Sequence, residues 1–281
     1  MAAEHKLDVP LVLSQTGQQS QAEWIASARY LLDLLCRIHE VDDLGATTVL
    51  DVGCGTKLVK VLLDERRPIG RYVGVDVASS VIDFLRQSVT DPRFAFHHLN
   101  ASNALYNPDG VTFTSVERLL PTAERFELIC LFSVFTHLAP NDYVHMLRLL
   151  RNCATPDCHL VYSLFVEETP SDHFAVLGEA MRARLAEDEA FKARLEEELR
   201  KRSAGELPDR PSEPPNASPG VGVVYDRADF IDTVPDHPLL RPVYSRRFAQ
   251  ALVRGTGWQI VSEHPPGPNS YIQSYFVCRP D

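Results

Sequence analysis

Thr48-Val49-Leu50-Asp51-Val52-Gly53-Cys54-Gly55-Thr56 decides how the rest of the chain is read. An apolar strand ends on an acid, a glycine turn follows, and a helix pattern starts behind it. Glycines at such a turn let the backbone pass close to a ligand where a Cβ would collide. About twenty residues further on, the interval at which an acid meets a ribose in this arrangement, a second apolar strand ends on a carboxylate: Arg71-Tyr72-Val73-Gly74-Val75-Asp76. From there an acid can bond both ribose hydroxyls. The bland alternative is a tight strand-to-helix turn and nothing more, but the pairing with Asp76 predicts a site for an adenosine-containing cofactor.

The turn itself discriminates among cofactors. The dinucleotide fingerprint G-x-G-x-x-G needs a third glycine so that the helix packs closely and faces a pyrophosphate. Here Leu58 occupies that place, and Asp51 would set a negative charge beside the phosphates. A carboxylate there suits a cofactor with a cationic end, such as the amino group of a methionine moiety. The run resembles the first motif, D-x-G-x-G-x-G, of class I S-adenosylmethionine-dependent methyltransferases, and departs from it where Lys57 replaces the last glycine. The resemblance implies S-adenosylmethionine as cofactor, with S-adenosylhomocysteine as product.

Composition narrows the classes. The 281 residues leave room for one large domain, or one domain with an insertion, and 44% apolar residues support a substantial core. No apolar stretch approaches the roughly 20 residues of a membrane span. The start, Met1-Ala2-Ala3-Glu4-His5-Lys6, lacks the basic and apolar regions of a signal peptide. Cys36, Cys54, Cys130, Cys153, Cys158 and Cys278 form no C-x-x-C pair and read as thiols of a reducing compartment, so a cytoplasmic location is expected. A net charge of −10 speaks against a nucleic-acid surface.

Along the chain, residues 21–39 have the spacing of an amphipathic helix, with Trp24, Ile25, Ala28, Leu31, Leu32 and Leu35 on one face. Strands are expected at 47–52, 71–76, 94–98, 126–132 and 158–166, with helices at 57–65, 79–88 and 140–152. This alternation predicts a doubly wound, mostly parallel α/β sheet. Residues 173–202 carry an apolar stripe amid dense charge, and a proline-rich connector spans 207–215. A helix at 245–256 and strands at 258–263 and 271–279 complete the chain. The ending resembles the closing helix and β-hairpin of class I methyltransferases, whose last strand runs antiparallel in a seven-stranded sheet. The expected organisation is an N-terminal helical segment (1–44), a cofactor-binding core (45–166), an inserted helical lid or dimer arm (167–225) and the C-terminal part of the core (226–281).

Ligands of open α/β sheets lie beyond the carboxyl ends of the strands. The cofactor candidates there are Asp51, Gly53 and Gly55 after the first strand, then Asp76 and Val77 after the second. Asn100 and Ala101 follow the third strand. By resemblance, Asn100 is expected to bond the adenine amino group, although it can also serve as a turn former. Phe132 and Ser133, after the fourth strand, resemble a segment that lies along the methionine part. Methyl transfer to a hydroxyl wants a base, and His137, His145 and Glu167 are the candidates. Each also has a structural reading: His137 as the start of the next helix, His145 as a surface position in mid-helix, Glu167 as the opening of a solvated insert. His97 and His98 read as structural, one of them facing inward. A divalent metal is possible but unsupported, because no compact ligand cluster is visible. The expected activity is O-methylation of a small polar acceptor, leaning to a saccharide or glycolipid hydroxyl. The alternatives are N-methylation of a small molecule and a non-catalytic cofactor-binding scaffold, which the Lys57 departure favours. A homodimer through the 167–225 segment is a further possibility.

Overall fold

The computed structural model describes residues 6–10, 13, 20–103, 106–168, 225, 229–232, 242–266 and 273–281. The expected lid, residues 169–224 above all, lies outside them. Strands β1 (Leu44–Val52), β2 (Ile69–Asp76), β3 (Phe94–His98), β4 (Phe126–Leu131) and β5 (Ala154–Leu164) are rich in Val, Ile, Leu and Phe. Residues of that kind fill sheets covered on both faces. They pair in parallel, and β10 (Ser274–Pro280) joins β5 antiparallel, with β9 (Trp258–His264) at the edge. The order β3-β2-β1-β4-β5-β10-β9 reverses direction between β1 and β4, which is the crevice where ligands of this architecture bind.

One face of the sheet is covered by α1 (Gln21–His39), α2 (Lys57–Asp64) and α3 (Ser79–Ser88), around Leu35, Val59, Val81 and Ile82. The other is covered by α4 (Pro140–Asn152) and α5 (Arg246–Val253), around Tyr143, Leu147, Ala249 and Phe276. Burying one large apolar side chain contributes about 1.5–3 kcal/mol, so the two cores hold the strand ends rigidly. Pro140 begins α4, and Tyr143, Met146, Leu147 and Leu150 form its buried face, as their spacing predicts. The N-terminal residues are strapped to α2: Leu7 N donates to Asp64 Oδ1 (2.7 Å), and Lys60 Nζ donates to the Leu7 carbonyl (2.6 Å).

Three expectations need correction. The fifth strand was expected at 158–166, yet it begins at Ala154, because a register shift opposite Phe126 and Leu128 absorbs the turn-like Thr155-Pro156-Asp157. It ends at Leu164, and Val166–Glu167 (β6) leaves the main sheet. There it pairs with β8 (Pro242–Ser245), which also pairs with β7 (Phe230–Asp232), forming a second three-stranded sheet that local patterning did not show. Lastly, β3 buries Phe94 and Phe96, leaving His97 half-buried and His98 exposed, so neither histidine is a core residue.

Candidate cofactor and acceptor site

The glycine turn is held from the second strand. Gly53 N and Cys54 N both donate to the Val75 carbonyl, at 2.7 and 3.1 Å. Gly55 N donates to Asp76 Oδ2 (2.9 Å), and Ala78 N donates to Asp76 Oδ1 (2.8 Å). Asp76 therefore ties together the turns that follow β1 and β2. Burial raises its pKa, and the bonds from Ala78, Gly55 and Val77 oppose that. A carboxylate accepts at about four positions, so capacity toward a ribose is left over. Gly53 and Gly55 both have positive φ, 70° and 49°. A Cβ on Gly53 would lie 2.3 Å from Val134 Cγ2, whereas one on Gly55 would meet nothing within 4 Å. The first glycine lets the β1 and β4 turns touch; the second opens onto free space.

Asp51, next to last in β1, is almost wholly buried and accepts a hydrogen bond from Tyr72 Oη at 2.5 Å. Burial pushes its carboxyl up to about 6, against the opposing bonds from Tyr72 and Cys130. A carboxylate in that setting gains from a cationic ligand. Nearby, Lys57 opens α2 and donates from Nζ to Ser27 Oγ on α1 (3.2 Å).

After β3, the loop carrying Asn100 and Ala101 is tied by Asn107, whose Nδ2 donates to Asn100 Oδ1 (3.2 Å) and to the Ala101 carbonyl (3.0 Å). Val77 is half-buried, its carbonyl accepting from His98 Nε2 (3.1 Å). After β4, Phe132 sets its ring edge-on to Tyr275. Ser133 takes φ 60°, a left-handed backbone rarely adopted by a residue with a side chain. It is fixed by Ser163 Oγ accepting from its N–H (2.8 Å) and by Gln273 Nε2 donating to its Oγ (3.1 Å). Such strain at a strand end is a mark of functional turns.

The turn continues into Phe135–His137. Phe135 is buried against Tyr143 and Tyr162, with ring centroids 4.5 Å away from each. The Leu138 carbonyl accepts from Tyr244 Oη of β8 (2.6 Å). His137 is thereby presented at the carboxyl end of β4, where its ring meets Tyr106 edge-on at 6.2 Å. His145 is placed elsewhere, its Nε2 donating to the Val116 carbonyl (2.8 Å) and its ring edge-on to Phe113. Glu167 is half-buried in β6, opposite Ser245. Reading the sequence did not anticipate Tyr106, Ser163, Gln273 or Ser27. Gln273 stands 140 residues from Ser133, and no local signal connects them. Among the described residues no group of three or more His, Cys, Asp or Glu is arranged to hold a metal, and no helix is long and apolar enough to cross a membrane.

Comparison with known proteins agrees with this geometry. A family described as methyltransferase domain matches residues 24–263. A malonyl-[acyl-carrier protein] O-methyltransferase from Acetivibrio thermocellus is 27% identical over 165 residues, 58% of this chain and 50% of that protein. The match thus spans half the length of that curated relative. Among solved structures, magnesium protoporphyrin IX methyltransferase from Synechocystis with bound S-adenosylhomocysteine superposes with a TM-score of 0.50 at 12% identity, over 96% of this chain and 92% of the other. A putative S-adenosylmethionine-dependent methyltransferase from Listeria monocytogenes gives a TM-score of 0.50 at 12% identity, over 91% and 99%. These likenesses establish the fold. The chain belongs to the methyltransferase-domain family, of the class I type that uses S-adenosylmethionine.

Proposed function

We propose that the chain transfers a methyl group from S-adenosylmethionine to a hydroxyl of a small polar acceptor, with saccharide and glycolipid hydroxyls the first to test. The donor set suits the cofactor. A buried carboxylate, Asp51, can meet its ammonium, Asp76 its ribose, and the space over Gly55 its chain; Val77, Asn100 and Ala101 border the adenine, and Phe132 and Ser133 the methionine part. When bound, the cofactor supplies an electrophilic methyl on a sulfonium centre. The protein's share is to align the acceptor and exclude water, for which proximity alone is worth roughly 7–11 kcal/mol.

The observation that carries the reading is the presentation of His137 at the carboxyl end of β4, two residues past the buried Phe135 and with Tyr106 edge-on to its ring. A neutral imidazole there takes the proton of an acceptor hydroxyl as the oxygen is methylated. The curated relative is an O-methyltransferase, which supports oxygen as the methylated atom. His137→Ala should lower turnover about 10²–10⁴-fold while leaving S-adenosylhomocysteine affinity unchanged. A loss under tenfold would remove His137 as the base and return the choice to Glu167, to His145 or to a neutral amine acceptor, which needs less help from a base. Absence of product across glycan and small-molecule panels would favour a binding scaffold.

A further inference from the structure

Lys57 stands where the family motif has a glycine, and among the described residues its charge is the one that acts on Asp51 with opposite sign. Its ammonium reaches from the head of α2 toward α1. Its Nζ reaches back to Ser27 Oγ (3.2 Å), a buried hydroxyl on α1. Asp51 and Lys57 act on each other electrostatically, yet they form no ion pair. Burying two opposite charges without joining them forgoes most of what a buried pair returns. The arrangement makes sense when a third body carries both complementary charges and lies between them. The methionine end of the cofactor is such a body, with an ammonium and a carboxylate on one carbon.

We infer that Lys57 holds the carboxylate of the cofactor's methionine moiety while Asp51 holds its ammonium, so that the side chain replacing the motif's glycine is a specificity device. Three observations converge. Lys57 follows Gly55 by two residues, and Gly55 opens onto free space. Thr56, at the head of α2, does not cap the helix; its hydroxyl donates to the Leu13 carbonyl (3.4 Å). Ser27 orients the ammonium from the α1 side, with an oxygen that accepts one of its three protons. The inference concerns the cofactor alone, so it stands or falls apart from the acceptor assigned above.

The test varies both sides of the contact. Calorimetry on the full chain would compare S-adenosylmethionine with its decarboxylated analogue, which keeps the ammonium and sulfonium, for wild type and for Lys57→Met. Wild type should prefer the carboxylate-bearing ligand by about 10- to 100-fold, the worth of one charge-assisted hydrogen bond. Lys57→Met should erase that preference and leave the affinity for the analogue within a few-fold of wild type. A variant that keeps the preference would show the carboxylate to be held elsewhere. If both ligands weaken equally, Lys57 serves only as the counter-charge of Asp51. No preference in wild type overturns the inference without any variant, and Lys57→Gln provides the same comparison if the methionine variant folds poorly.

Discussion

Asp51 is kept at a cost to the fold. Its carboxyl is raised from an ordinary 3.8 to about 6 by burial, so the folded chain holds that proton more tightly than the unfolded chain does. A raised group stabilises fully below its unfolded pKa, and the contribution is lost as pH rises through the folded value. At neutral pH the ionised carboxylate therefore destabilises the ligand-free protein, by up to about 3 kcal/mol. Asp51→Asn should then raise stability at pH 7 by about 1–2 kcal/mol, the amide's own burial taking back part of the gain, while Tyr72 still finds an oxygen to bond. The same variant should lose cofactor affinity about tenfold or more, because the cationic end meets a neutral group. Urea unfolding and calorimetry on one preparation check both; a variant less stable than wild type that binds normally would sink the proposed role. Asp51 and Asp76 were legible in the sequence because each ends an apolar strand beside a glycine turn. What was not legible is that Asp76 spends both oxygens on backbone N–H groups of the turns, since nothing in a strand pattern reports loop hydrogen bonds.

At the scale of elements, periodicity located nearly every strand and helix of the main sheet, because each has a face that must be buried. It failed at Thr155-Pro156-Asp157, where a bulge keeps a strand going through turn-forming residues, and at the three-stranded sheet. Two- to four-residue strands such as β6 and β8 are too short to show a period. That small sheet matters for the site. Tyr244 of β8 is fully buried, stacks near Tyr143 and Phe248, and donates to the carbonyl of Leu138, one residue past His137. Tyr244→Phe removes only the hydroxyl and leaves that carbonyl unmet. It should cost about 1–3 kcal/mol in stability and lower turnover, while S-adenosylhomocysteine affinity holds, because Leu138 is not among the residues proposed for the cofactor. Unchanged turnover would mean that the Tyr244 hydroxyl does not set the His137 ring.

Across the whole molecule, titrating groups at the two ends of the sheet shift in opposite directions. Away from the glycine turn, His39 Nδ1 lies 3.0 Å from His159 Nδ1, and Arg279 Nε approaches His159 Nε2 at 2.9 Å. Burial, followed by Arg279 and His39, lowers His159 from 6.5 to about 4, and burial also lowers His39. The sign is opposite to that of Asp51. Between about 4 and 6.5 the unfolded chain takes up a proton that the folded His159 refuses, so stability falls on acidification. Between 3.8 and about 6 the folded Asp51 takes up a proton that the unfolded chain does not, and stability rises. Over the shared window, pH 4 to 6, the two ends of the molecule largely cancel, and wild-type stability should change little there on their account. Asp51→Asn removes one side of that balance. Its stability should fall more steeply than wild type from pH 6 to pH 4, by up to about 1.4 kcal/mol per pH unit, the worth of one proton. A second substitution, His159→Gln, should flatten the slope again. Urea midpoints at pH 4.5, 5.5 and 7 for wild type, Asp51→Asn and the double variant measure it. Parallel curves for the three proteins would show that neither group titrates between folded and unfolded states as its burial requires.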